Sequence, residues 1–533
     1  MSKQLVTSSI SAPGFAGLNL QDAPTSLEAG FALEANNCVI DKFGRIGARK
    51  GWTTYLPENV DLDIETVDTI AEILSPTASN NQLFVAGNDC LFLSTGTALS
   101  KKLVRNSGDT ANASYTITDS HWQVASIPDV TNARARAVIT QAGHKPLYFS
   151  YSSVTSAYVF KILADVATLP TVPVSHSATT FTPNACISAY GRIWVADIAN
   201  DRQTVYFSDL LDPLNFRTGT AGALDINEVV GDGDPIVGLA SHNGFLIIFC
   251  ENHTVVYSGA QDPANLALSD NITGIGCVAR DSIQQTGTDV IFLSSTGVRS
   301  LSRTVQEKSM PMRDVSKNVR DELLNTLQLT TDIKSIKSGY SSHEAFYVLS
   351  FSDVDTVYCF DARSLLQDGS ARATTWDTIT PKSFCTTVNR EFLIGKAGYV
   401  GLYKDYSDNG SSYRMSYYSS YFDFQQPTVS KILKKIEMLV IGAQNQDITV
   451  KWDFDFKKAY QSSTVVVDPA EIAEYGLGEY GISTYSGGII IFNLNLNAGG
   501  TGKVLQLGFE TDIDNNAVSL QKIDVFVKGG KTL

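Results

Sequence analysis

Asp232 and Asp234 stand two residues apart in the stretch GDGDP (231–235), and paired carboxylates are the residue types that glycoside hydrolysis requires. Two acids in a glycine turn are also what a solvated loop looks like, and nothing else in the chain supports catalysis. There is no GxSxG elbow, Walker loop or HExxH, and no GxGxxG follows a strand-like run. A sialidase-like propeller would repeat SxDxGxxW boxes, and the nearest candidate, SDNGSSY at 407–413, has its acid misplaced. The chain is not expected to be an enzyme.

Metal chemistry finds no better footing. Cys38, Cys90, Cys186, Cys250, Cys277, Cys359 and Cys385 are spread singly, with no CxxC pair, and the six histidines are scattered. The acidic run DIDNN (512–516) lacks the glycine at position six and the glutamate at position twelve of a calcium loop. Free, buried thiols and no metal or cofactor are the expectation.

A cluster of opposite charge lies near the start, in NNCVIDKFGRIGARKGW (36–52). NNCVID is strand-like. Asp41-Lys42-Phe43-Gly44 fits a turn in which the Asp41 side chain accepts from backbone amides and Gly44 takes a positive φ, and RIGARKGW returns as a second strand. Lys42, Arg45, Arg49 and Lys50 make this hairpin cationic, suited to an acidic neighbour, a subunit or adaptor contact, or a phosphate. The plainer alternative is an edge hairpin kept soluble by its charges. On the contact reading, removing residues 1–56 should leave folded monomers that no longer assemble.

The rest of the chain has the opposite sign. The net charge is −14, with +1 in residues 1–56, −2 in residues 410–533 and −13 between them. Such a body repels nucleic-acid phosphate unless it presents a local basic face. With 43% hydrophobic residues, 18% charged residues and a mean hydropathy of −0.02, the 533 residues describe a chain able to bury a large core. No apolar run approaches the roughly 20 residues of a membrane span, and the start lacks the apolar core of a secretory signal, so synthesis in the cytosol is expected.

Seven hairpin-like units, each an apolar strand, a polar turn and a second apolar strand, occupy 82–96, 145–162, 191–209, 244–259, 288–303, 344–361 and 390–405. Their spacing of about 45 to 65 residues matches the blade period of β-propellers, because a ring of four-stranded blades buries faces that one hairpin cannot. Successive β-sandwiches would show similar spacing. Trp376-Asp377 and Trp452-Asp453 are WD dipeptides without the upstream GH of a WD40 blade, and read as strand residues. One helix is expected, over 316–327, with Val319, Leu323, Leu324 and Leu327 on one side and Ser316 as its cap. After residue 410 longer alternating strands indicate an antiparallel sandwich, and the glycine- and tyrosine-rich stretch Tyr475 to Tyr485 has the composition of a contact loop. The fold expected is all-β: a propeller of six to eight blades (57–409) between an N-terminal arm and hairpin (1–56) and a C-terminal β-sandwich-like domain (410–533).

Several stretches in order carry a resemblance. DAPTSLEAGFALEANNCVIDKFGRIGARKGW (22–52), YGRIWVADIANDRQTVYFSDLLDPLNF (190–216), IVGLASHNGFLIIFCENHTVVYSG (236–259), GIGCVARDSI (274–283), TDVIFLSSTGVRSLS (288–302) and YFDFQQPTVSKILKKIEMLV (421–440) resemble the tail hub or nozzle proteins of short-tailed bacteriophages, the podoviruses. These are also called packaged-DNA stabilisation proteins. The resemblance implies a structural virion protein, a propeller subunit in a sixfold ring (a homohexamer) below the portal and tail adaptor proteins. It implies that the ring forms the exit channel, retains the packaged double-stranded genome without gripping it, and conducts it during ejection; in such a ring Asp232 and Asp234, on a glycine-rich loop, are candidates for channel-facing acids. Partners implied are other copies of the chain, the adaptors, and a tail fibre or tail needle; the location implied is the virion tail. The competing function is a carbohydrate-binding or glycoside-cleaving propeller used in host attachment, which aromatics clustered with carboxylates in one pocket would favour.

Overall fold

The seven hairpin units become strand pairs of seven sheets, the middle pair in all but the sheet that holds 288–303, in the computed structural model, which describes residues 5–62, 67–301, 315–443, 446–467 and 491–532. Six of these sheets are four-stranded propeller blades. They begin with the blade running Thr69–Ile73, Gln82–Gly87, Cys90–Ser94 and Leu99–Lys102, and the second blade adds a short parallel strand, Val104–Arg105, at its outer edge. The remaining sheet, fifth in order around the ring, has three strands, Gln284–Gln285, Val290–Ser294 and Gly297–Ser300, and the helix Arg320–Leu329 packs against its last strand. Ser383–Thr386, innermost in the last blade, lies beside Thr69–Ile73 of the first, so the array closes.

Blade packs on blade through seven clusters of buried apolar side chains. Between the fourth blade and the three-stranded sheet, for example, the rings of Phe249 and Phe292 meet at 4.6 Å. Each fully buried side chain of that size contributes about 1.5–3 kcal/mol, so the interfaces rather than the individual hairpins hold the ring. Strands in a blade run antiparallel. The turns after a blade's first and third strands therefore gather at one end of the propeller, and the turns after its second strand gather with the blade-to-blade links at the other, the link end.

The helix begins later than its sequence suggests. Lys317–Val319 form a 3₁₀ turn and Arg320–Leu329 the α-helix, with Val319 and Leu323 buried and Leu324 and Leu327 packed at the core's edge. Ser316 makes no cap; its hydroxyl accepts from the Val298 amide at 3.0 Å, tying the helix start to the three-stranded sheet.

The first 56 residues, expected as an arm of their own, are shared out among the other parts. Leu5–Ser11 pairs along its length with Val518–Thr532 of the C-terminal sheet, and Ile46–Ala48 of the hairpin pairs with the same strand. Phe31–Asn36 lies between Ala373–Trp376, the outer strand of the sixth blade, and Tyr413–Ser419, so one ten-stranded sheet runs from the propeller into the C-terminal region. Trp52–Leu56 is the outer strand of the last blade, beside Val400–Tyr403. Short strands cannot bury two faces alone, which is why these pieces attach to larger sheets.

The C-terminal region is two sheets packed face to face. Leu433, Ile436, Met438 and Val440 meet Met415, Ile448, Val450 and Phe509 in a core continuous with the sixth blade's Tyr347 and Leu349. In Val429–Gly442 the inward positions pass from Leu433 to Ile436 because a bulge between Leu433 and Lys435 inserts one residue.

Candidate functional site

The hairpin's turn forms by local hydrogen bonding. Asp41 Oδ1 accepts from the amides of Phe43 (2.8 Å) and Arg45 (3.0 Å), Oδ2 from Arg45 Nε (2.5 Å), and Gly44 has φ 71°. A Cβ on Gly44 would also lie 2.6 Å from that of Pro13, so glycine is required twice over.

The four cations of the hairpin have different surroundings. Arg49 is fully enclosed. Its guanidinium pairs with both oxygens of Asp408 (2.9 and 2.7 Å), donates to Thr378 Oγ1 (2.6 Å), Asn37 Oδ1 (3.0 Å) and the Lys50 carbonyl (2.9 Å), and stacks over Tyr413 at 3.9 Å. Tyr413 donates back to the Arg49 carbonyl, and burial pushes its phenol well up. With no exposed surface Arg49 cannot meet a neighbouring subunit, which corrects its place among the contact residues. Lys50 pairs with Glu344 of the sixth blade and Arg45 with Asp41. Lys42 is the exposed one, its Nζ 5.0 Å from the ring of Phe43, itself 52% exposed.

Asn36 and Asn37, paired in the sequence, both donate to one carboxylate: to Asp377 Oδ2 at 2.5 Å and Oδ1 at 2.7 Å. Asn37 also donates to the Arg414 carbonyl (2.7 Å) and takes φ 52°. Trp376 Nε1 donates to the Cys38 carbonyl at 2.9 Å. Asn37, Arg49, Asp377 and Asp408 thus form one clasp joining the hairpin, the outer strand of the sixth blade and the entry to the C-terminal region. Asp377 and Asp408 were not singled out in the sequence, since a WD dipeptide and an acid in a serine loop give no sign of a partner some 340 to 360 residues away.

The two acids of GDGDP part company. Asp232 stands exposed between Gly231 (φ 81°) and Gly233 (φ 92°), on the link end between the third and fourth blades. Asp234 is only 6% exposed; it accepts from the Asn252 amide (3.0 Å) and side chain (3.2 Å) and from His253 Nδ1 (2.5 Å). It holds the next blade's turn. Its candidacy as a channel-facing acid is corrected accordingly, and the two carboxylates do not face a common cleft.

A charged network the sequence reading missed fills the propeller's axis. Arg280 donates to Asn184 through its carbonyl and side chain (both 2.8 Å), to the His121 carbonyl (2.9 Å) and to Asp281 (2.8 and 3.1 Å). Lys337 also pairs with Asp281, and Lys334 with Asp119. Burial alone would raise Asp281, but Arg280 and Lys337 outweigh it and hold its carboxyl well below the usual range. Burial, with Lys337 near, pushes His121 down to about 4. Lys337 comes from the innermost strand of the sixth blade and Asn184 from that of the third, so the segment around Arg280 ties opposite sides of the ring. A cavity of about 180 Å³ over it at the link end includes Asp119, Asp197, Arg202 and Glu251. The one sequence signal was GIGCVARDSI, in which adjacent Arg280 and Asp281 sit in an apolar stretch.

A second concavity, of about 460 Å³, opens at the other end on the second blade, lined by Asp129, Arg134, Arg136, Tyr148 and Tyr151 among others. Among the described residues no group of three or more His, Cys, Asp or Glu side chains is placed to hold a metal ion, and all seven cysteines are free thiols. Among the described residues no helix is long and apolar enough to cross a membrane. Tyr475 to Tyr485 lie outside the described residues.

These features define the class: a β-propeller clasped to a two-sheet β-region and filled along its own axis by charged side chains. No protein-family model matches the chain, and no curated protein matches it. Among solved structures, it is similar to the extracellular domain of a one-component system from B. thetaiotaomicron (8% identity, TM-score 0.38, covering 77% of this chain and 44% of that one). It is also similar to the WD40 domain of Neurospora crassa Pan2 (10%, 0.36, 67% and 97%) and to PorZ, a surface component of the type-IX secretion system of Porphyromonas gingivalis (12%, 0.32, 69% and 42%). The chain spans under half the length of the first and third. At these identities and TM-scores the likenesses carry no argument about function.

Proposed function

We propose that the chain is a structural subunit of the tail of a short-tailed bacteriophage: a nozzle or hub ring, built from six copies, that bounds the DNA exit channel, retains the packaged genome and conducts it during ejection. The observation that carries the reading is the clasp. One of the stretches that resemble the nozzle proteins, residues 22–52, supplies Asn36, Asn37 and Arg49, which join the propeller to the C-terminal region.

Two further features support it. The axis of the single propeller is occupied by Arg280 and its partners, so a conduit has to run between subunits, through the middle of a ring. The net charge of −14 suits a wall that lets phosphate slide past, since cationic contacts to phosphate would hold the duplex. Adaptor proteins would sit above the ring and a fibre or needle below, with the protein made in the host cytoplasm and carried in the virion tail. No catalytic role is proposed.

The carbohydrate-directed alternative gains little from the concavity at Asp129. That carboxylate accepts from its own turn at Asn132, and Arg134 covers a face of Tyr151 at 4.0 Å, which leaves no open aromatic platform beside a free acid. The test is duplex DNA added to the purified assembly at near-physiological salt. A conduit should leave the DNA unretained; tight, salt-sensitive binding would remove the non-adhesive channel from the account.

A further inference from the structure

The concavity on the second blade carries two arginines that, among the described residues, make no ion pair with a carboxylate. Arg134 lies with its guanidinium carbon 4.0 Å from the centre of the Tyr151 ring. Arg136 donates to the carbonyls of Ile127 and of Leu211, both at 3.2 Å, and meets the Tyr148 hydroxyl. In a chain with fourteen more acids than bases, two arginines left without an acid in a hollow of about 460 Å³ are conspicuous. Asp129 accepts from Asn132 in its own turn and feels the charge of Arg136 without pairing with it.

The rim of this hollow is apolar. Val130 is 73% exposed, Val154 66% and Leu211 60%, and Leu211 adjoins Arg136 through its carbonyl. Arginine and tyrosine ringed by apolar side chains is the composition of a protein-binding hot spot. The turns that build the hollow, at 127–136 and 153–156, and the third-blade turn at 208–216 that touches Arg136, follow first and third strands of their blades and lie at the end opposite the link end.

At the link end, the short stretch between the third and fourth blades presents Glu228 and Asp232, both exposed. Gly231 and Gly233 have no neighbouring atom within 4 Å of where a Cβ would be, so the Asp232 loop stands clear of the body. One end of the propeller thus offers arginines lacking an acid, and the other offers acids on a projecting loop.

We propose that the acidic link loop of one copy, with Glu228 and Asp232, docks into the Arg134–Arg136 hollow of the next copy. Such a contact joins two different surfaces, so it is heterologous and builds a closed ring when the rotation between copies closes. It rests on the ring reading above and gives that ring its subunit joint. It also assigns Asp232 to arginine of a neighbour instead of to passing DNA.

A heterologous joint has a signature that a single variant cannot give. R134E/R136E disables the hollow and keeps the loop; E228K/D232K disables the loop and keeps the hollow. In sedimentation velocity at low salt the parent chain should run as a ring and each variant alone as a monomer. An equimolar mixture of the two variants should give a dimer and nothing larger, because one working loop meets one working hollow. Each variant's melting temperature should match the parent's; if the charge reversal unfolds the chain, R134Q/R136Q replaces it and should still abolish the ring. A ring formed by either variant alone, or a mixture that stays monomeric, overturns this joint while leaving the ring itself intact. A parent chain that is monomeric under all conditions overturns both.

Discussion

Arg49 shows how a residue chosen for its charge can serve an interior role. In the sequence it is one of four basic side chains on a polar hairpin; in the fold it is enclosed, paired with Asp408 in a fork and stacked on Tyr413. Removing one partner of such a pair strands a buried charge, at about 3–5 kcal/mol. Arg49→Met should lower the urea midpoint accordingly, and adding Asp408→Leu should recover part of the loss; unchanged stability in Arg49→Met would show that the clasp is dispensable. A second residue-scale test concerns acid. His121 is held at about 4, so between pH 6.5 and 4 the unfolded chain takes up a proton there that the folded chain refuses. The stability this provides is full above pH 6.5 and falls as pH drops through that window, by up to roughly 3 kcal/mol. Carboxylates such as Asp281, held low by Arg280 and Lys337, lose theirs only at still lower pH. Urea titrations at pH 7 and pH 4.5 should show a smaller difference for His121→Gln than for the parent, and equal differences would exclude His121 as the source.

At the scale of elements the central strand pairs were legible and their closure was not. The hairpins such as QLFVAGNDCLFLSTG and GFLIIFCENHTVVYSG could be read because apolar runs broken by Asn, Asp and Gly turns are local signals. Nothing local says that Trp52–Leu56 completes a blade begun some 330 residues later, or that Leu5–Ser11 pairs with Val518–Thr532, because strand partners are chosen by whole-chain packing. The same holds for the candidate sites. Asp41's turn was readable from DKFG, whereas the burial of Asp234 depends on Asn252 and His253 of the next blade. The consequence is a changed expectation for truncation. Without residues 1–56 the last blade loses its outer strand and the C-terminal sheet loses three strands, so the product should be insoluble or protease-sensitive rather than a folded monomer. Limited proteolysis distinguishes the two. Gly51 gives a finer probe: a Cβ there would sit 1.9 Å from the Ser407 carbonyl oxygen, so Gly51→Ala should cost about 1–3 kcal/mol or more in urea melts, and a neutral effect would mean the blade closes differently.

On the scale of the whole molecule, charge and closure point the same way. The propeller's axis is filled by Arg280 and the groups around it, and the chain as a whole is strongly acidic. A protein with these properties can bound a passage for DNA only in company with its copies. Screening limits any effect of wall charge on the duplex to about 8 Å at physiological salt, so acids matter only where the passage is narrow. The most direct measurement is electron microscopy of the purified chain, with the mass of the same sample determined in solution. The account predicts closed rings with sixfold symmetry and an open centre, at six times the 57.7 kDa of one chain; a solitary propeller at every concentration, or an assembly with no central opening, would contradict it.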